Sequence, residues 1–196
     1  TLSLHDALPI FGGFTMNFEQ YQNYLIDTAT SLLSIDSTSG FTAKVTDYLI
    51  DTVKELGYPV YKNNIGNVIV TVEGEDDSEP IALSAHVDTL GLMVRSITSD
   101  GMLMITSIGS PLLPSLDGEY CNIHTRDGRV YTGTILSLSS AVHVFPDAST
   151  RDRDEQNMAV RIDEIVHSKE DVEALGIHAG DFVCYDPKTT FTKSGF

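Results

Sequence analysis

The stretch Ile81–Gly91, reading IALSAHVDTLG, constrains this chain more than any other. Ile81 to Ala85 is apolar or small without alternation, as suits a strand buried on both faces in the parallel sheet of an α/β protein. It stops at His86, with Asp88 two residues on and Gly91 just beyond. Open α/β sheets place their ligands beyond the carboxyl ends of such strands. Side chains alternate along extended backbone, so His-Val-Asp puts an imidazole and a carboxylate on one side. Such a pair fits a metal-binding histidine steered by an acid behind it. A buried histidine paired with an acid for structural reasons fits it more readily, and the spacing alone leaves both open.

The first ten residues, TLSLHDALPI, match the translation of a common sequencing-adapter oligonucleotide, so residues 1–15 are expected to be an artefactual leader and Met16 the true start. His5 and Asp6 are therefore not site candidates. Asn17 caps a helix with Gln20 completing a capping box, and Phe18, Tyr21, Leu25, Ala29 and Leu32 form its expected core stripe. Ser37–Gly40 breaks the pattern. A second helix follows with Val45, Leu49, Val53 and Leu56 inward and Gly57 closing it. Tyr58–Lys62 and Asn67–Val72 read as strands joined at Asn63–Gly66, and residues 74–80 as an acidic loop.

Beyond Gly91 short strands follow one another: Leu92–Thr98, Met102–Ile108, Tyr120–Thr125, Val130–Leu136, Met158–Val166 and Phe182–Tyr185. Asp127-Gly128 marks a hairpin, and Ser168 with Asp171 caps a short helix ended by Gly176. This texture predicts a small all-β barrel or sandwich after an α/β opening. The chain closes on TTFTKSGF, a strand-like phrase, and is expected to be an N-terminal fragment of a longer protein.

The net charge of −16 argues against nucleic-acid partners and anionic membrane surfaces. No apolar run reaches the length of about 18 residues that a membrane span needs. Cys121 and Cys184 have no CxxC spacing, which disfavours a disulfide framework and favours a reducing, cytoplasmic location. GxGxxG and GKS/GKT are absent, and Ser39-Gly40 and Ser194-Gly195 lack the context of a nucleophile elbow. His124, His143, His167 and His178 fall in the β region and read as surface or packed histidines, and the mixed charges of Arg151–Glu155 as a solvated loop, with a part in an oligomer contact as the lesser alternative.

The phrases AHVDTLGLMV, DGEYCNIHTRDGRVYTG, AVHVFPDAST, RDRDEQNMAVRIDE and EDVEALGIHAGDFVCYDP resemble metallopeptidase family 42, the tetrahedral or glutamyl aminopeptidases, some of them labelled endoglucanase or cellulase. The similarity runs in order from Met16 to Phe196. It implies an α/β catalytic domain, partial here, over residues 16–90, an inserted β-barrel domain over 91–188, and a truncated return to the catalytic domain at 189–196. It implies an aminopeptidase that releases N-terminal residues from peptides, with two divalent metals per subunit, Zn2+ or Co2+, activating a water against the peptide carbonyl. His86 matches the family's first metal ligand, and Asp88 the acid that orients it. Many members carry Glu after that Asp, where this chain has Thr89, a position that is not a ligand. The bridging aspartate, the glutamate pair and the later ligands match nothing here, so these residues alone are expected to be inactive. Peptides are the implied substrates, and a homo-oligomer built through the β domain, with a dodecamer among its sizes, the implied assembly. A related dinuclear dipeptidase or deacetylase-type amidohydrolase and a non-catalytic assembly module are the competing readings. Nothing supplies the carboxylate pair or aromatic platform that an endoglucanase would use.

Overall fold

A computed structural model describes residues 18–76 and 78–193 of the chain. The leader at 1–15, the start at Met16, the Asn17 cap, the place of Phe18 in the helical stripe and Ser194-Gly195 lie outside the described residues. Two helices open the fold, α1 (Phe18–Leu33) and α2 (Ala43–Glu55). Leu56 and Gly57 end α2, with Gly57 at φ +83°, a left-handed conformation that glycine adopts without steric cost. A two-stranded antiparallel ribbon follows, β1 (Val60–Lys62) and β2 (Val68–Val70). Asn63 ties its turn, its side-chain oxygen accepting from the Ile65 and Asn67 amides at 3.2 and 2.9 Å.

A closed six-stranded barrel makes up the rest: β3 (Gly91–Ile97), β4 (Leu103–Ile108), β5 (Tyr120–His124), β6 (Val130–Ser137), β7 (Met158–Ile162) and β8 (Phe182–Tyr185), paired in the order β3-β4-β7-β6-β5-β8. Closure leaves no strand edge unpaired. Alternation along each strand sends Leu92, Val94, Leu103, Ile105, Ile123, Ile135, Val160 and Val183 into one core. The β5–β6 hairpin turns through Asp127-Gly128 with His124 opposite Val130, as the sequence leads one to expect. A short helix, α3 (Lys169–Ala174), covers the barrel through buried Val172. Ser168 caps it, accepting from the Asp171 amide at 3.1 Å, and Gly176 at φ +80° follows its end.

Three sequence expectations are corrected. Ile81–Ala85 is in no ladder, and Ile81 and Leu83 are 91% and 96% exposed rather than buried on both faces. A doubly buried strand needs neighbours on either side and layers above and below it, and the described residues supply none. The helical stripes are also largely uncovered: Tyr21, Leu25 and Leu56 are exposed, and only Val45 of the second stripe is fully buried. Arg151–Glu155 is not a solvated loop. Arg153 binds Asp117 through Nε at 3.0 Å and the carbonyls of Arg151 and Ala148, while Arg151 pairs with Asp147 at 2.8 Å. Glu155 accepts from the Ser107 amide at 2.7 Å and the Thr106 hydroxyl at 3.0 Å, bracing the segment against β4.

The Ser107 amide is the main reason the Glu155 carboxyl sits below its ordinary range, burial opposing it. A depressed carboxylate contributes stability that is present above its unfolded pKa and lost as pH falls through the folded one. Glu155→Gln is expected to cost about 1 kcal/mol near neutral pH, the net of a charge-assisted bond partly screened by solvent. Urea titrations of both proteins should converge as pH drops below the ordinary glutamate range. A difference that persists unchanged in acid would count against the carboxylate's role.

Candidate functional site

The site is built where the α1–α2 connector meets the approach to β3. Thr38 forms a parallel bridge with Thr89. The Thr89 amide donates to the Ser37 carbonyl at 3.0 Å and the Ser39 amide to the Thr89 carbonyl at 3.4 Å. The Ser37 hydroxyl donates to the Val87 carbonyl at 3.0 Å. Ser37 and Thr38 are fully buried; the Ser37 carbonyl and hydroxyl have these partners, and the Thr38 carbonyl accepts from the Phe41 amide while its hydroxyl meets the Cys184 sulfur, which offsets the cost of burying them. Gly91 lets the two segments touch. A Cβ at Gly91 would sit 2.0 Å from the Thr38 hydroxyl oxygen, closer than any side chain tolerates.

This seam presents His86 and Asp88 together at a cleft of about 780 Å³, which Asp36, Ser39, Cys184 and Pro187 also line. His86 Nδ1 lies 3.2 Å from Asp88 Oδ1 and 3.1 Å from the Asp88 carbonyl oxygen. A carbonyl can only accept, so Nδ1 carries the proton and Nε2 is the lone-pair nitrogen left to ligate. The ring is 86% exposed, so it stands in solvent rather than in a core. Asp88 is held in turn by the Ser39 hydroxyl, which donates to Oδ2. That hydroxyl, and to a lesser degree His86, holds the Asp88 carboxyl below its ordinary range, while burial works against them. The serine of Ser39-Gly40 thus positions an acid, a role that its place in a helix break did not disclose.

The structure brings a second group together that the sequence left apart. Asp36, from the connector, reaches His124 on β5, with Oδ2 2.6 Å from Nε2. The Asn122 side-chain amide donates to the same oxygen at 3.1 Å. Cys184 on β8 contacts the Thr38 hydroxyl at 3.3 Å, and burial pushes its thiol up. Cys121 faces the barrel core and is pushed up to about 12 by burial. Both cysteines are free. His143, His167 and His178 are exposed.

The M42 glutamyl aminopeptidase model matches residues 66–196. The chain belongs to the M42 glutamyl aminopeptidase family. One relative, the aminopeptidase-like protein YhfE of Bacillus subtilis, is 46% identical over 165 residues, which is 84% of this chain and 48% of YhfE. The solved structure of aminopeptidase APDkam598 from the archaeon Desulfurococcus kamchatkensis superposes with a TM-score of 0.76 at 27% identity, covering 88% of this chain and 46% of that one. The TET1 peptidase of Pyrococcus horikoshii, which can assemble into a tetrahedron or a large octahedral shell, gives 0.69 at 26% identity, covering 86% and 48%. The chain spans about half the length of the curated relatives it matches. Membership of M42, a metallopeptidase family, implies a divalent metal cofactor. No described helix is long and apolar enough to cross a membrane.

His86 fits one ligand position for such a metal, with its tautomer set and an acid behind it. The rest of a ligand set is not beside it: among the described residues, the only group of three or more potential ligands is Asp36, His124 and Cys184. The tautomer is open to test. Asp88→Ala removes one of two acceptors at Nδ1, and ring 15N chemical shifts of His86 should move from a single tautomer towards a mixture. Unaltered shifts would mean that Asp88 does not fix the ring.

Proposed function

We propose that the whole protein is a dinuclear metal-dependent aminopeptidase in which His86 is a metal ligand and Asp88 its orienting acid. The observation that carries the reading is the His86–Asp88 pair itself, with Nδ1 committed and Nε2 available at the mouth of a cleft. Family membership supports the reaction class, N-terminal residues of peptides being the substrates. Zn2+ or Co2+, when bound, would supply Lewis acidity towards the scissile carbonyl. The residues of this chain orient one ligand and shape one wall of the cleft.

The barrel at 91–188 is proposed as an insertion between the α/β segment at 16–90 and its continuation from 189. The exposed apolar run Ile81–Ala85 supports this arrangement, because a full sheet would cover it. A homo-oligomer assembled through the barrel is proposed by analogy with the assemblies of TET1 peptidase. A cytosolic location accords with the acidic composition and the two free thiols.

A protein of the relatives' full length, loaded with zinc or cobalt, is expected to cleave aminoacyl-p-nitroanilides, and His86→Ala to lower kcat/KM by at least about 100-fold, beyond the usual cost of an outer-shell change. The 196-residue chain alone should show no turnover, since one histidine cannot hold a metal pair. Equal cleavage by wild type and His86→Ala would overturn the assignment.

A further inference from the structure

We propose that Asp36, His124 and Cys184 form a second metal site, of the zinc class, which clamps the α1–α2 connector onto the outside of the barrel. It shares no residue with the His86–Asp88 pair. In the β5–β8 ladder, Asn122 lies opposite Cys184 and His124 opposite Phe182. Their neighbours Cys121, Ile123 and Val183 point into the core, so alternation turns these four side chains outward. His124 and Cys184 are diagonal neighbours there, within reach of one another. The connector lies over them and delivers Asp36 to the same spot.

One Asp36 carboxylate oxygen, one ring nitrogen of His124 and the Cys184 sulfur all lie within 4.8 Å of one another. His124 is 6% exposed and Cys184 4%, so the ligands are already ordered and largely desolvated. Phe41 packs over the imidazole with ring centroids 4.7 Å apart, fixing its plane. Two of the three ligands, Asp36 and Cys184, also have an outer partner of the kind expected of a built site. Asn122 donates to the Asp36 oxygen and Thr38 bonds the Cys184 sulfur.

The donor set decides the metal. Thiolate with imidazole and a single carboxylate selects zinc or cobalt over magnesium or calcium, which demand oxygen. Three protein ligands leave the fourth tetrahedral position open. Asp36 and Cys184 both line the cleft, so that position is reachable by water or a small ligand. Without metal, a hydrogen bond of 2.6 Å joins His124 Nε2 to Asp36 Oδ2, the ring N–H donating to the carboxylate. Metal entry displaces that proton and the thiol proton to solvent, and forms Zn–N, Zn–O and Zn–S bonds in exchange. Ligands at about 2.0 Å from a tetrahedral ion stand about 3.3 Å apart, so the pair must open by less than about 1 Å.

The test is a cobalt(II) titration of the full 196-residue chain, following the near-ultraviolet charge-transfer band that a cobalt–thiolate bond produces. One equivalent should generate the band and raise the melting temperature. Cys184→Ser should abolish the band, while Cys121→Ser and His86→Ala should leave it intact. Asp36→Asn keeps an acceptor for His124 and Asn122, so it guards against simple misfolding. It should weaken cobalt binding by at least about tenfold, with the far-ultraviolet circular dichroism unchanged. No band in the wild-type chain, a band that survives Cys184→Ser, or undiminished affinity in folded Asp36→Asn would each overturn the site. Because His86→Ala reads the aminopeptidase assignment separately, either proposal can fail without the other.

Discussion

The contact on which the rest of this structure depends is the near-collision of Thr38 with Gly91. The connector can lie flush on the barrel only because the first residue of β3 has no side chain. From that contact follow the Thr38–Thr89 bridge, the amide exchange between Ser37, Ser39 and Thr89, and the placing of Ser39 against Asp88. A methyl group at Gly91 would push the connector outward. It would separate Asp36 from His124 and Thr38 from Cys184 in the same movement. Such overpacking typically costs about 1–3 kcal/mol. Its larger consequence here is geometric, because two clusters of functional side chains share one seam.

Where a physical signal was local, the sequence was legible. The barrel strands announced themselves as a close succession of short runs separated by turns, the β5–β6 hairpin by Asp127-Gly128, and α3 by its Ser168 cap and Gly176. His86 and Asp88 face one another because extended backbone places residues two apart on one side. The second cluster was not legible. Asp36, His124 and Cys184 are far apart in the chain, and only closure of the barrel through the β5–β8 pairing, with the connector across it, brings them together. No spacing rule describes ligands supplied by three separate elements.

The opposite failure, at Ile81–Ala85, has a different cause. An apolar run states a preference for burial, but the preference is met only if other strands are present to complete the ladder. Among the described residues β3 to β8 close on one another around the barrel and β1 and β2 pair only with each other, so the open edges left are those of that short ribbon, and Ile81–Ala85 pairs with neither. The same shortage of covering structure explains the amphipathic stripes of α1 and α2, whose apolar residues stay half open to solvent. Composition and periodicity report what a segment would bury. They cannot report whether the covering layer is there.

The precision of His86 has its source outside its own neighbourhood. The ring is mostly in solvent and touches little, so packing cannot hold it. Its orientation comes through a short chain of bonds: Asp88 holds the ring, Ser39 holds Asp88, and the Ser37–Thr89 exchange holds Ser39. Every member after Asp88 is fastened to the buried seam at Thr38. That seam is fixed in turn to β3, whose Leu92 and Val94 are fully buried in the barrel core. A close-packed core deforms little, so it can serve as the reference to which an exposed side chain is aligned. The barrel therefore positions the His86–Asp88 pair although none of its core residues belongs to it.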